Sequence, residues 1–338
     1  MQIPEPEITL AGLIDQHHAD TQSPPRPHMG CSILGHPCDR YLWLSFRWAV
    51  IEKFDGRILR LFRRGQLEES SILQDLRAVG VKVSDRQSSV DFGWHISGSV
   101  DGVITAGVPE APLKYHVLEC KTHSKKSFDD LQKHGVEKSK PQHYIQMQLY
   151  MLGLKIDRAL YYSICKDNDE IYTERVRLNK EIAQKYIDRG KRLVQSDRMP
   201  EPLSADPSWH ICKMCAAYDF CHKSHTTKEV NCRTCCHSTA TDKSTWTCAK
   251  HDDSEIPVEF QRTGCESHLL HPDLVQWKMI DHSEHELTFE VDGKPVRNGE
   301  PDAFVFSSRE ILANPGACAN PDNTSEAMRD VLNGRVIG

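Results

Sequence analysis

Residues 95–123, HISGSVDGVITAGVPEAPLKYHVLECKTH, decide the reading of this chain. Alternating and β-branched residues broken by turn formers predict strands here and, together with 81–85 and 88–94, a small antiparallel sheet. Asp101 ends one strand, and Glu119 and Lys121 stand two apart on the next, so their side chains share one face while that of Cys120 takes the other. A carboxylate beside an ammonium suits a site in which Glu119 holds a metal ion and Lys121 orients water or steadies developing negative charge. The backbone carbonyl of Cys120 points along the sheet and offers a further oxygen ligand. Each fragment alone has a plainer meaning, since Asp101-Gly102 makes a good hairpin turn and Glu-x-Lys decorates many solvated strands.

Outward from this stretch, aromatic and apolar residues over 41–49 predict a buried helix. A second helix is predicted over 65–80, where Ile72, Leu73, Leu76 and Val79 recur at helical spacing and Gly80 suits a left-handed cap. Beyond residue 123, helices are predicted over 127–135, 141–154 and 179–194, with strands over 159–165 and 171–176. That order describes an α/β core with a central mixed sheet flanked by helices. Residues 1–27 read as a flexible N-terminal segment, 28–225 as the core domain, 226–270 as a small cysteine-rich metal-binding appendage, and 271–338 as a tail of unassigned role.

The 338 residues suffice for one sizeable domain with a smaller appendage, and 38% hydrophobic with 27% charged residues excludes a disordered or fibrous chain. The start lacks a basic, then apolar, leader and no stretch approaches a membrane span, which predicts a cytoplasmic protein. A net charge of -6 gives no global attraction to nucleic acid, so contacts with DNA fall to local lysines such as Lys121, Lys125, Lys126, Lys133, Lys138 and Lys140. Thirteen cysteines in a reducing compartment read as metal ligands rather than as disulfides.

Four pieces fall in order: Gly65 to Glu69 on a helix, Asp101 at a strand end, Glu119 with Lys121, and Gln146 to Tyr150 on a later helix. Together they resemble the RecB-like and phage-type exonuclease branches of the PD-(D/E)XK nuclease superfamily. The resemblance implies a restriction-endonuclease-like core in which Glu69, Asp101 and Glu119 ligate Mg2+ or Mn2+, Lys121 assists the water, and Gln146 and Tyr150 support the site or contact DNA. Four apart on a helix, Gln146 and Tyr150 project to one side; Gln142 and Gln148 have no Tyr at that offset. Gln66 or Glu69 stands where many RecB-like members carry a histidine, which favours the phage-type arrangement, and Glu68 competes with Glu69. The function implied is a DNA exonuclease resecting ends for a single-strand annealing protein, in a bacterial or phage-infected cell. A nuclease of CRISPR adaptation and a non-catalytic, metal-bound DNA-binding protein are the alternatives.

Cys212-x2-Cys215-x5-Cys221 has the spacing of three ligands to one centre. With Cys38 as fourth ligand, or Cys31 in its place, the set resembles the iron–sulfur staple of AddB-type helicase–nucleases and implies a [4Fe-4S] cluster, although four thiolates also suit zinc. Cys232-x2-Cys235-x12-Cys248-x16-Cys265 reads as a zinc-ribbon-like site for Zn2+, with a second iron–sulfur centre as the alternative. Cys120, Cys165 and Cys318 read as packing residues.

Overall fold

A computed structural model of the chain describes residues 9–84, 88–332 and 334–336. Residues 1–8 of the expected N-terminal segment and Asp85, the end of the strand expected over 81–85, lie outside them. The chain divides into two compact units, Met1–His36 with Glu52–Lys191, and Pro37–Ile51 with Arg192–Gly338.

The chain opens with α1 (Leu10–Asp20), β1 (Met29–Gly30), α2 (Asp39–Phe46) and α3 (Gly56–Ala78). Strands β2 (Lys82–Val83), β3 (Ser88–Asp91), β4 (Ile96–Val100), β5 (Gly102–Ala106) and β6 (His116–His123) follow. Next come α4 (Lys125–Ser139), α5 (Pro141–Leu154), β7 (Arg158–Cys165), β8 (Ile171–Arg177) and α6 (Lys180–Gln195). Residues 10–20, expected in a flexible segment, are helical because Thr9 caps α1, its hydroxyl accepting from the Gly12 N–H at 3.1 Å.

The first unit holds the mixed sheet, in the order β2-β5-β6-β7-β8. β6 and β7 run parallel and the other neighbours antiparallel. One expectation is corrected. The strands of 81–123 do not form a single antiparallel sheet, because β3 and β4 leave for a separate sheet ordered β1-β4-β3, in which β1 pairs parallel to β4. β4 and β5 are adjacent in sequence yet belong to different sheets, so Asp101-Gly102 is a crossing between sheets rather than a hairpin turn.

Helix α3 starts nine residues earlier than the 65–80 expectation because Asp55 caps it, its carboxylate accepting from the Ile58 N–H at 2.8 Å. Gly65 lies within the helix and faces open space, so it interrupts nothing. Beyond the helix Gly80 takes φ +87°, the left-handed conformation its lack of a Cβ permits. The packed side of α3 places Ile72 and Leu76 against Leu118, Cys120, Leu160, Tyr162 and Ile164. Strand alternation therefore sends Glu119, Lys121 and Tyr161 to the opposite face of the sheet.

In the second unit, Trp43 and Leu44 of α2 pack with Ala49, Ala217, Phe220 and Leu274. After α7 (His210–Lys213), strands β9 (Ser238–Ala240), β10 (Trp246–Cys248) and β11 (Ser254–Glu255) form one small sheet, followed by α8 (Val258–Gln261). The segment 226–270 is tied to the residues around the end of α2. Arg233 donates to the Phe46 carbonyl at 3.0 Å, Asn231 to that of Trp48 at 3.1 Å, and the Thr227 hydroxyl to that of Ala49 at 2.6 Å.

The described residues of the tail also form regular elements. Strands β12 (Lys278–His282), β13 (Leu287–Val291), β14 (Lys294–Asn298) and β15 (Val305–Phe306) form a sheet, followed by α9 (Ser308–Ala313), α10 (Pro315–Ala319) and α11 (Asn323–Leu332). Its core gathers Leu270, Phe289, Val291, Val296, Phe306 and Ile311. Among the described residues no helix is long and apolar enough to cross a membrane.

Candidate active site

Asp101 stands where the chain passes from β4 to β5, and its Oδ2 accepts the Cys120 backbone N–H at 2.7 Å. On β6, Glu119 is fully buried and ion-paired to Lys121. The Lys121 ammonium also lies 3.9 Å from Asp101 Oδ2 and donates to the Cys120 carbonyl at 3.2 Å. One cation thus already touches two carboxylates and a backbone carbonyl, the oxygen atoms expected to hold a metal.

Burial pushes the Glu119 carboxyl up to about 7, Lys121 opposing this and Asp101 adding to it. The Lys121 ammonium is held charged beyond its ordinary range because Glu119 and Asp101 outweigh the cost of burial. Glu69 belongs to the same cluster: burial raises its pKa first, then Asp101, with Lys121 lowering it. Glu68 instead bears on the Tyr162 hydroxyl, on the face covered by α3.

Glu119 Oε1 meets the Lys121 ammonium, while Oε2 of this buried carboxylate has no hydrogen-bond partner among the described residues. Such a group is costly unless a cation answers it. Hard oxygens on Glu69, Asp101, Glu119 and the Cys120 carbonyl fit Mg2+ or Mn2+ in ligand type.

On α5, Gln146 donates to the Tyr150 hydroxyl at 3.2 Å, and both side chains are buried. Tyr150 has Glu119 and Asp101 near enough to raise its pKa further, after burial. The Tyr150 ring lies over Gly98, where a Cβ would stand 2.9 Å from Cε1. Gln148, the alternative glutamine, donates to the Arg177 carbonyl at 3.0 Å and accepts from the Asn179 N–H at 2.6 Å, so it braces β8 and the start of α6.

Three residues that the sequence reading passed over join this face: His123, His143 and Tyr161. Tyr161 Oη lies 2.9 Å from His123 Nε2 and 2.9 Å from His143 Nδ1. The signals were present, because His123 continues the Glu119, Lys121 alternation and His143 precedes Gln146 by three. Of the lysines expected to meet DNA, Lys125 pairs with Asp129 and Lys140 with Asp130, while Lys126, Lys133 and Lys138 are exposed.

Within the second unit, burial raises the thiol pKa of Cys212, Cys215 and Cys221, and Cys38 adds to the rise in each case, so the three lie within electrostatic reach of Cys38. The Cys38 sulfur caps α2 by accepting from the Tyr41 N–H at 3.4 Å. Cys31, the alternative, packs at Gly98 with its thiol pushed up to about 12 by burial.

Cys232 likewise feels Cys265 and Cys248, and Cys235 feels Cys265. Burial pushes the Cys235 thiol up to about 12, partly opposed by the backbone N–H groups of Leu269 at 3.3 Å and His237 at 3.4 Å, which its sulfur accepts. Among the described residues no three His, Cys, Asp or Glu side chains form a ready-made site for a metal ion. Cys165 and Cys318 are buried packing residues.

The family model of the PD-(D/E)XK nuclease superfamily matches residues 37–222, more than half of the chain. No curated protein sequence matches it. Among solved structures, SSO0001 is similar at 14% identity and a TM-score of 0.40, over 63% of this chain and 95% of that one. An alkaline exonuclease from Laribacter hongkongensis is similar at 16% identity and a TM-score of 0.36, over 50% and 87%. A phage-related exonuclease from Haemophilus somnus 129PT is similar at 19% identity and a TM-score of 0.29, over 38% and 66%.

Proposed function

This chain belongs to the PD-(D/E)XK nuclease superfamily, and from that premise we propose that it is a divalent-metal-dependent deoxyribonuclease, most simply an exonuclease. The observation that carries the reading is Glu119, a fully buried carboxylate with one oxygen on the Lys121 ammonium and the other without a hydrogen-bond partner among the described residues, set beside Asp101 and the Cys120 carbonyl. Mg2+ or Mn2+ would be held by Glu69, Asp101, Glu119 and that carbonyl, and supplies, when bound, acidification of water and neutralisation of charge on the phosphoryl group.

The chain's own residues do the rest. Asp101 is steered by the Cys120 amide, so its carboxylate is aimed before any ligand arrives. Lys121, kept fully charged by its acidic neighbours, orients the attacking water and steadies negative charge at the phosphorus. Gln146 and Tyr150 hold one another and back the site or meet the DNA backbone.

The exonuclease assignment, resection for phage-type recombination and handover to a single-strand annealing protein rest on the motif set of Glu69, Asp101, Glu119, Lys121, Gln146 and Tyr150. Trimming of DNA for CRISPR adaptation uses the same chemistry, and a non-catalytic DNA-binding role would leave the Glu119 cluster without a task. A [4Fe-4S] cluster on Cys38, Cys212, Cys215 and Cys221 is supported by the proximity of those four thiols. Zn2+ on Cys232, Cys235, Cys248 and Cys265 is supported by the amide hydrogen bonds to Cys235.

End-labelled single- and double-stranded DNA, digested with and without Mg2+ or Mn2+, tests the reading. Stepwise loss of the label from one end with metal only is the expected outcome. Internal cuts would make it an endonuclease, and intact DNA in every condition would overturn the enzyme.

A further inference from the structure

We propose that the Nε2–H of His143 donates a hydrogen bond to a backbone phosphate oxygen of the nucleic acid beside the cleaved bond, with its tautomer set through Tyr161, His123 and Ser127. The proposal rests on the nuclease reading and adds a substrate contact to it.

Placement comes first. His123 shares the face of β6 that carries Glu119 and Lys121, and Tyr161 is paired in register with Glu119 on β7. His143 lies three residues before Gln146 and seven before Tyr150, on the same side of α5. After burial, Lys121 is the strongest influence lowering the His143 pKa, so the imidazole lies within electrostatic reach of the lysine of the site.

The hydrogen bonds form a line from Ser127 Oγ to His123 Nδ1 at 3.2 Å, from His123 Nε2 to Tyr161 Oη at 2.9 Å, and from Tyr161 Oη to His143 Nδ1 at 2.9 Å. Tyr161 is buried and has one proton to give. It therefore donates to one imidazole and accepts from the other. Burial and the nearby lysines hold His123 down to about 4 and His143 down to about 3, so both rings are neutral at ordinary pH.

Two arrangements close the line. In one, His143 donates from Nδ1, and its Nε2 is an acceptor, unsuited to a phosphate. In the other, Ser127 donates to His123 Nδ1, His123 Nε2–H to Tyr161, and Tyr161 to His143 Nδ1. His143 then carries its proton on Nε2, the nitrogen at the outer end of the line on a half-buried side chain. A phosphate oxygen accepts and never donates, so its arrival selects the second arrangement. His143 touches substrate in this scheme, while Tyr161, His123 and Ser127 are positioning residues.

The test is steady-state cleavage of duplex DNA by the full chain with Mg2+. His143→Ala is expected to raise KM about tenfold or more while kcat stays within about threefold, the pattern of lost uniform binding. Because the contact is made by a neutral donor, the salt dependence of KM should keep its wild-type slope, whereas Lys133→Ala flattens it if that lysine meets a phosphate. His143→Gln keeps an N–H donor and should recover most of the loss, and Tyr161→Phe should raise KM in the same direction. Wild-type KM in His143→Ala, a flattened salt slope in that variant, or no recovery in His143→Gln would overturn the contact alone. A wild-type chain that cleaves no DNA would overturn the nuclease reading and the contact with it.

Discussion

The backbone N–H of Cys120 donates to Asp101 Oδ2 across 2.7 Å, tying the crossing between two sheets to the strand that carries Glu119 and Lys121. Asp101 is thus held by β6 while it belongs to neither β4 nor β5. Asp101→Ala should lower the cleavage rate by at least about a hundredfold. It should also cost about 1–3 kcal/mol of stability, because the Cys120 amide loses its partner. Lys121→Ala should match the loss of activity without unpairing that amide. Cleavage rates and thermal melts of the two variants check this, and normal turnover by either one would remove it from the reaction.

Glu69 and Glu68 are adjacent; Asp101 and Lys121 act on the Glu69 carboxyl after burial, while Glu68 bears on the Tyr162 hydroxyl. Glu69→Gln should therefore reduce cleavage by about two orders of magnitude or more, while Glu68→Gln stays near wild type. Rates measured across a range of Mg2+ concentrations test the assignment, and the opposite ranking would mean that Glu68 is the ligand.

Gly98→Ala places a Cβ 2.9 Å from Tyr150 Cε1 and 3.1 Å from Cys31 Sγ. The Tyr150 ring must shift, and with it the hydrogen bond from Gln146. A loss of about 1–3 kcal/mol in stability is expected from overpacking. Activity should fall further than in Tyr150→Phe, which removes a hydroxyl and displaces nothing. Thermal melts and cleavage rates of both variants decide it.

Burial raises the Glu119 carboxyl to about 7, and a metal ligand must be ionised to bind. The Mg2+ concentration for half-maximal activity should rise about tenfold per unit as pH falls below about 7 and level off above it. Stability of the metal-free chain carries the opposite sign. The folded state binds the extra proton between the ordinary value of 4.5 and about 7, so the contribution of Glu119 declines as pH rises through that window. Mg2+ titrations of activity at pH 6, 7 and 8 measure the first effect, and a flat response would exclude Glu119 as a ligand.

Protein prepared anaerobically should be brown and contain iron and sulfide, and Cys38→Ser should bleach it, since Cys38 is the thiol near Cys212, Cys215 and Cys221. Cys31→Ser should leave colour unchanged. Zinc should be retained in Cys38→Ser and lost in Cys265→Ser, whose sulfur lies near Cys232 and Cys235. Elemental analysis of the variants separates the two centres, and a colourless wild type would end the iron–sulfur assignment.

Local pattern alone determined a good deal of this protein. Glu119 and Lys121 share a face because strand side chains alternate, Gln146 reaches Tyr150 because helical residues four apart are neighbours, and Gly80 ends α3 for want of a Cβ. Those periodicities say which side a residue is on and nothing about what it meets. Pairing between strands is non-local, so only the tertiary structure could send β4 and β5 into different sheets and turn an apparent hairpin at Asp101 into a crossing. Which carboxylates act on Glu69, and that Glu68 bears on Tyr162, depends on how α3 lies on the sheet. The placing of Cys38 with thiols more than 170 residues away required the folding of Pro37–Ile51 into the second unit. His123, Tyr161 and His143 come from two strands and a helix, and a hydrogen-bonded line of that kind exists only where packing brings separate segments within 3 Å of one another.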